Sequence, residues 1–124
     1  MQANHIILRI SADRADEFER LFEKGELPIW RDLAARGLLV HASMTRVAFG
    51  TEEREGVRHY AIYAAFTSMA GHTAHDSDPR FKAYDAEADA FQPQQPLVFG
   101  GRTLFEASGG DARAVEGVDE PHDD

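Results

Sequence analysis

The sequence has no cysteine, a single tryptophan, and fewer basic than acidic residues. Without cysteine there is no disulfide framework, no thiolate metal site and no thiol nucleophile. No apolar run approaches the length that a membrane-spanning helix needs, and the first residues, MQANHIILRI, lack the basic and apolar regions of a signal peptide. These absences predict a cytoplasmic protein that does not interact with a membrane.

Basic charge is scarce, because 13 Lys and Arg residues stand against 22 Asp and Glu, for a net charge of −9 at pH 7. No basic stripe alternates with aromatic residues, which argues against a nucleic-acid partner. Much of the acidic excess lies in residues 107–124, ASGGDARAVEGVDEPHDD, where no apolar period is visible. Such a composition cannot offset its own ordering entropy. We therefore expect one folded domain over residues 1–106 and a disordered acidic tail over 107–124.

Hydrophobic periodicity predicts strands and helices in alternation. A β-branched run predicts a strand over residues 5–10, and Phe18 and Phe22 recur at the spacing of one helical face. Pro28 begins a second helical piece that ends at Gly37. The later elements are a strand over 38–49, a strand over 57–66, a helix that restarts at Asp78-Pro79, and a final strand over 97–107.

The resulting order, βαββαβ, predicts an α+β, ferredoxin-like fold in which a four-stranded antiparallel sheet carries its helices on one face. No predicted element is left to cover the other face of the sheet. We therefore expect a homodimer in which a second copy covers that face.

The stretch GHTAHDSDPRF, residues 71–81, is the densest group of chemistry-bearing side chains. His72, His75 and Asp76 have the i, i+3, i+4 spacing that puts them on one face of a helical turn. A carboxylate beside an imidazole orients the ring and makes it a general base. The alternative is a solvated helix start in which Asp76 or Asp78 caps the next turn.

Three further side chains near this stretch are candidates for contact with a ligand. Arg80 follows a proline at a helix N-terminus, where it either anchors an anionic ligand or pairs with Asp76 or Asp78, and we favour the pair. Trp30 and Phe81 are most simply core residues, and they line the pocket if a pocket exists.

Strand alternation predicts a second polar group on the face of the sheet away from the helices. His5 and Arg9 share one face of the first strand, His41 lies on one face of the second, and His59 and Tyr63 share one face of the third. Imidazoles in such a group suit a transition metal. A polar dimer interface explains them more simply, so we predict no metal site.

The element order and the second-helix motif, His75 followed by Asp78-Pro79-Arg80-Phe81, resemble the dimeric α/β-barrel superfamily over about residues 4–107. The first strand and helix, together with DPRFKAY, look most similar to small polyketide cyclases and cofactor-free antibiotic-biosynthesis-type monooxygenases. The resemblance implies a homodimer in which the two sheets form a barrel. It also implies a pocket between the sheet and the helices or inside the barrel.

The haem-degrading branch of that superfamily fits the sequence less well. Asn4 and His75 match its first-strand asparagine and its second-helix histidine. Thr67 and Ser68, however, stand where that branch has a tryptophan at the end of the third strand.

The resemblance implies a small cofactor-independent enzyme, of the monooxygenase or cyclase type, that acts on an aromatic or polyketide-like molecule. In this hypothesis His75 is the base, Asp76 assists it, and Tyr63 or Arg46 polarises an oxygen of the substrate. Side chains with a ring or a cation are the predicted substrate contacts: His72, Arg46, Trp30, His59, Arg80 and Phe81. The alternatives are a non-catalytic small-ligand-binding or stress-responsive protein, and a metal- or haem-dependent oxygenase.

Overall fold

The computed structural model describes residues 1–115, so residues 116–124 of the predicted tail lie outside the described residues. In chain order the elements are β1 (Gln2–Ser11), α1 (Ala15–Gly25), α2 (Leu27–Ala35), β2 (Leu39–Arg46), β3 (Val57–Phe66), α3 (Met69–Asp76), α4 (Pro79–Ala88), β4 (Leu97–Arg102), β5 (Phe105–Ser108) and β6 (Asp111–Ala114). Short 3-10 turns follow β1 and α4.

The first four strands form an antiparallel sheet in the order β2-β3-β1-β4. This order and the two helical segments between the strands confirm the predicted α+β, ferredoxin-like fold. None of the helices in the described part of the chain is both long and apolar enough to cross a membrane.

Alternation along β1 decides which face of the sheet meets the helices. Leu8 and Ile10 are buried in the core cluster, and Ile6 is partly buried and packs against it. Phe18 and Phe22 of α1 enter this core, where Phe18 is fully buried. Apolar residues at alternate strand positions and at i, i+4 helix positions therefore build one common core.

The junction of α1 and α2 lies where the sequence places a break. Pro28 is in the first turn of α2, where its missing N–H costs no helical hydrogen bond. Gly25 ends α1 against α4: a Cβ atom at Gly25 would lie 2.9 Å from the Cβ atom of Tyr84. This close approach leaves the next residue, Glu26, buried between the helices.

The break between α3 and α4 also follows the sequence. The Ser68 hydroxyl accepts a hydrogen bond from the backbone N–H of Ala70 at 3.2 Å and caps α3. Asp78 caps α4 in the same way, since its Oδ1 accepts from the backbone N–H of Arg80 at 2.8 Å, and Pro79 is the first residue of α4.

The predicted final strand over residues 97–107 is wrong in its second half. β4 ends at Arg102, and β5 instead pairs with β6 in a separate two-stranded hairpin. The turn of this hairpin contains Gly109 and Gly110, which both have positive φ angles that favour glycine. The hairpin crosses the predicted domain boundary between residues 106 and 107. The predicted strand over 38–49 is also too long, since β2 ends at Arg46.

Gly100 and Gly101 lie in regular register with β1 and form no bulge. Gly100 pairs with Asn4, and a Cβ atom at Gly100 would lie 2.8 Å from Asn4 Oδ1. The glycine therefore leaves space for the Asn4 side chain on the helix side of the sheet.

Candidate functional site

A cavity of about 690 Å³ lies between the helix side of the sheet and the helices. Side chains from β1, β3, β4 and all four helices line it. Aromatic rings form much of its wall: Phe22, Trp30, Phe66, Phe81 and Tyr84. A concave, largely apolar space with a few polar groups is typical of small-molecule sites.

One wall of the cavity carries a hydrogen-bonded row of ionisable side chains. His75 Nδ1 donates to Asp76 Oδ1 at 2.9 Å, and His75 Nε2 makes a short hydrogen bond to Glu26 Oε2. Glu26 is 5% exposed, and the side chain of His75 is 12% exposed. A buried carboxylate is expensive unless it is paired, and His75 provides that pair.

The row continues from Asp76 to the sheet. His72 Nε2 lies 3.0 Å from Asp76 Oδ2 and 3.3 Å from Asn4 Nδ2. Gln2 Nε2 donates to Asn4 Oδ1 at 2.7 Å. The His72 ring is stacked on Phe66, with ring planes 7° apart. The polar row thus runs from Glu26, at the junction of α1 and α2, through α3 to β1 along an otherwise apolar cavity.

The carboxylates decide the charge of His75. Burial disfavours its charged form, but the hydrogen bonds to Asp76 and Glu26 outweigh burial and raise the pKa of His75 from 6.5 to about 9. Burial would raise the pKa of Asp76, yet His75 and His72 lower it overall. At neutral pH His75 is therefore an imidazolium ion held between carboxylates.

Five of the residues predicted from sequence line this cavity: His72, His75, Asp76, Trp30 and Phe81. The ring centroid of Phe81 is 4.4 Å from that of His75, so the apolar and ionisable parts of the site are in contact. The dense stretch of residues 71–81 thus contributes to the cavity from two helices.

Tyr63 and His59, also predicted for the site, lie on the other face of the sheet. The Tyr63 ring packs between His5 and His41, at centroid distances of 5.2 and 5.9 Å. His59 Nε2 lies 2.6 Å from Glu52 Oε1. Strand alternation puts both side chains away from the cavity, because Ala64, with the opposite parity, lines it.

The two predicted arginines are paired at the surface and do not line the cavity. Arg46 donates to both carboxylate oxygens of Glu19, at 2.9 and 2.7 Å. Arg80 donates to Asp78 and Asp32, which agrees with the ion-pair alternative for Arg80, with Asp78 as one partner.

The sequence reasoning missed Glu26, Gln2 and Tyr84 as cavity residues. Glu26 has a recognisable signal, because it continues the i, i+4 series of Phe18 and Phe22 and so extends the buried face of α1. Tyr84 has helical spacing with Phe81 and Ala88, which indicates only a buried face of α4 and not a cavity. Gln2 precedes the predicted strand and has no distinguishing pattern in the sequence.

A haem or metal ligand does not fit His75 as it is placed. Both ring nitrogens of His75 make hydrogen bonds to carboxylates, so neither has a lone pair free for a metal. Over residues 1–115 no group of three or more His, Asp and Glu side chains is arranged to hold a metal ion.

Comparison with known proteins is informative at the level of structure. No protein-family model and no curated sequence matches the chain. Among solved structures, a protein of Nitrosomonas europaea assigned as an antibiotic biosynthesis monooxygenase matches with a TM-score of 0.68 and 10% identity, over 84% of this chain and 99% of that one. The chain has the ferredoxin-like fold of the antibiotic biosynthesis monooxygenases.

Two further structures share this fold. HapK from Hahella chejuensis matches with a TM-score of 0.66 and 16% identity, over 90% of this chain and all of that one. Rv0793 from Mycobacterium tuberculosis matches with a TM-score of 0.65 and 16% identity, over 86% of this chain and 98% of that one. At these identities the likeness establishes the fold, as the resemblance in the sequence implied.

Proposed function

We propose that the protein is a small cofactor-independent enzyme of the monooxygenase type, which binds an aromatic or polyketide-like molecule in the cavity between sheet and helices. The observation that carries this proposal is the pairing of an aromatic wall with one hydrogen-bonded row of ionisable groups, from the buried Glu26 through His75 to Asp76. The aromatic wall suits a planar ligand, and the ionisable row supplies proton transfer. The names of structures with the same fold support the reaction type.

In a reaction without a cofactor, the substrate itself has to supply the electrons that reduce O₂. A phenol that loses its proton becomes electron-rich, and its ring carbon reacts with O₂ to give a hydroperoxide. Loss of water from the hydroperoxide leaves a quinone: one oxygen atom enters the product, and the other leaves as water together with two hydrogens of the substrate. The protein has to remove the proton and hold the ring, which are the tasks that the cavity is equipped for.

A homodimer is part of the same proposal. The sheet face opposite the cavity carries Tyr63 between two histidines, and Phe99 at the edge strand is 63% exposed. A second copy that covers this face would bury apolar surface without closing the cavity.

Oxygen consumption with 1-naphthol as substrate tests the proposed function. We expect the wild-type protein to consume one O₂ per naphthol and to give a product with one more oxygen and two fewer hydrogens, detected by mass spectrometry. Ala88→Phe fills the cavity from α4 and is expected to reduce the rate at least about tenfold, because Ala88 lines the cavity. Ala83→Phe, on the exposed face of the same helix, is the matched control.

Binding of 1-naphthol without oxygen uptake would instead favour the non-catalytic ligand-binding alternative. Equal rates for wild type and Ala88→Phe, with the fold of both variants verified by circular dichroism, would show that the reaction does not occur in this cavity.

A further inference from the structure

His75 has no free lone pair with which to accept a proton from a ligand. A carboxylate oxygen can only accept a hydrogen bond unless it carries a proton itself. The His75 ring therefore makes both hydrogen bonds, to Glu26 and to Asp76, only when each of the two bonds contains its own proton. Neither ring nitrogen is then free to take up a further proton. The predicted role of His75 as the base is incompatible with this arrangement, so the base must be another group.

Glu26 offers the acceptor that His75 lacks. Its Oε2 is bonded to His75, whereas its Oε1 is buried and has no hydrogen-bond partner among residues 1–115. Buried polar atoms without a partner are uncommon in folded proteins. Glu26 lines the cavity and the terminal torsion of its side chain is broad, so Oε1 is the acceptor that it can offer to a ligand there.

Tyr84 provides a donor beside this acceptor. Its ring is buried on α4 and lines the cavity. Burial and the nearby Glu26 carboxylate raise the pKa of Tyr84, so that its hydroxyl keeps its proton at neutral pH. A ligand oxygen between Glu26 and Tyr84 would meet one acceptor and one donor, which is the requirement of a phenolic hydroxyl.

We propose that Glu26 accepts the proton of a phenolic hydroxyl and that Tyr84 donates a hydrogen bond to the phenolate that forms. Both roles rest on the proposed function of the cavity. In this step the O–H bond of the ligand breaks and an O–H bond forms at Glu26 Oε1, with no change in oxidation state. The combined net charge of Glu26, His75 and Asp76 rises by one and becomes zero, while Tyr84 remains protonated.

Other ionisable groups line the same cavity and have to be distinguished from Glu26. On α3, Asp76 already uses one oxygen for His75 and the other for His72, whereas His72 lines the cavity and its buried Nδ1 has no hydrogen-bond partner among residues 1–115. On α4, Asp85 lines the cavity, and burial together with Asp89 and Asp76 raises its pKa. Asp85 as a whole residue is nevertheless exposed to solvent, unlike Glu26. Asp85 and His72 are therefore the rival bases that an experiment must test.

Absorbance of bound 4-nitrophenol measures the proposed proton transfer directly, because its ionised form absorbs in the visible range and its neutral form does not. At a pH where the free probe is mostly neutral, we expect the probe bound to wild type to be largely ionised. Glu26→Gln should lower the ionised fraction of bound probe at least about tenfold. Tyr84→Phe should weaken binding about tenfold, since a hydrogen bond to a charged oxygen is lost. Glu23→Gln, at an exposed glutamate of α1 three residues before Glu26, is the matched control.

Other outcomes would overturn this assignment. Retention of the ionised band in Glu26→Gln at equal saturation would exclude Glu26 as the base. Loss of the band only in Asp85→Asn would give that role to Asp85, and loss only in His72→Gln would give it to His72. Absence of binding to wild type would overturn the proposed function itself. If Glu26→Gln does not fold, wild type labelled with ¹³C at its glutamate carboxyl groups replaces it: one resonance must move to its protonated position when 4-nitrophenol is added, and no shift would contradict the proposal.

Discussion

His75→Ala is expected to lower the free energy of unfolding by about 3–5 kcal/mol near pH 6, because it leaves the buried carboxylate of Glu26 without its cation. The two side chains are 12% and 6% exposed, so water replaces little of the lost pairing. Chemical denaturation of wild type and variant measures the loss. The double variant His75→Ala/Glu26→Gln should be more stable than His75→Ala alone, since it removes the unpaired charge.

The same pair makes the stability of the wild type depend on pH with a definite sign. The pKa of His75 is about 9 in the folded protein and 6.5 without its partners. The stabilisation is therefore fully present below about pH 6.5 and is lost as the pH rises through 9. The difference in unfolding free energy between wild type and His75→Ala should become smaller as the pH rises over this range. A difference that stays constant from pH 6 to pH 10 would contradict the charged state assigned to His75.

Phe18→Ala is expected to lower the free energy of unfolding by a similar amount, about 3–5 kcal/mol, through loss of core packing. Phe18 is fully buried, and its ring contacts Phe22, Tyr60 and Phe91 at centroid distances between 5.4 and 6.2 Å. The neighbouring side chains belong to a helix, a strand and a 3-10 turn, which cannot all move to fill the space. Urea denaturation followed by circular dichroism measures the change.

Phe49→Ala is the matched control for Phe18→Ala, because Phe49 lies in the loop after β2 and is 91% exposed. Its removal should change the unfolding free energy by less than about 0.5 kcal/mol. Comparable losses of unfolding free energy for the two variants would contradict the position of Phe18 in the packed core.

The fold could be predicted from the sequence because its signals are local. Apolar alternation in β1, the i, i+4 pair of Phe18 and Phe22, and the breaks at Pro28 and Pro79 each depend on residues close together in the chain. The end of β4 could not be predicted in this way. Residues 97–107 continue to look like one strand, but the pairing of β5 with β6 is a contact that periodicity does not encode.

The site was predictable only in part, for a physical reason. The helical spacing of His72, His75 and Asp76 placed three side chains together correctly, since it depends on one turn of α3. Side-chain alternation along β3 places Tyr63 and His59 on a common face of the sheet. Alternation alone does not show which face of the sheet lines the cavity. Glu26, at the junction of α1 and α2, reaches His75 of α3 only through tertiary packing, across 49 residues of chain.

A crystal structure of the protein with bound 2-naphthol tests the central claim most directly, that the cavity between sheet and helices is the ligand site. We expect the naphthalene rings between Trp30 and Phe81, with the hydroxyl oxygen within hydrogen-bond distance of Glu26 and Tyr84. Naphthol bound instead on the opposite face of the sheet beside Tyr63, with this cavity empty, would contradict the claim.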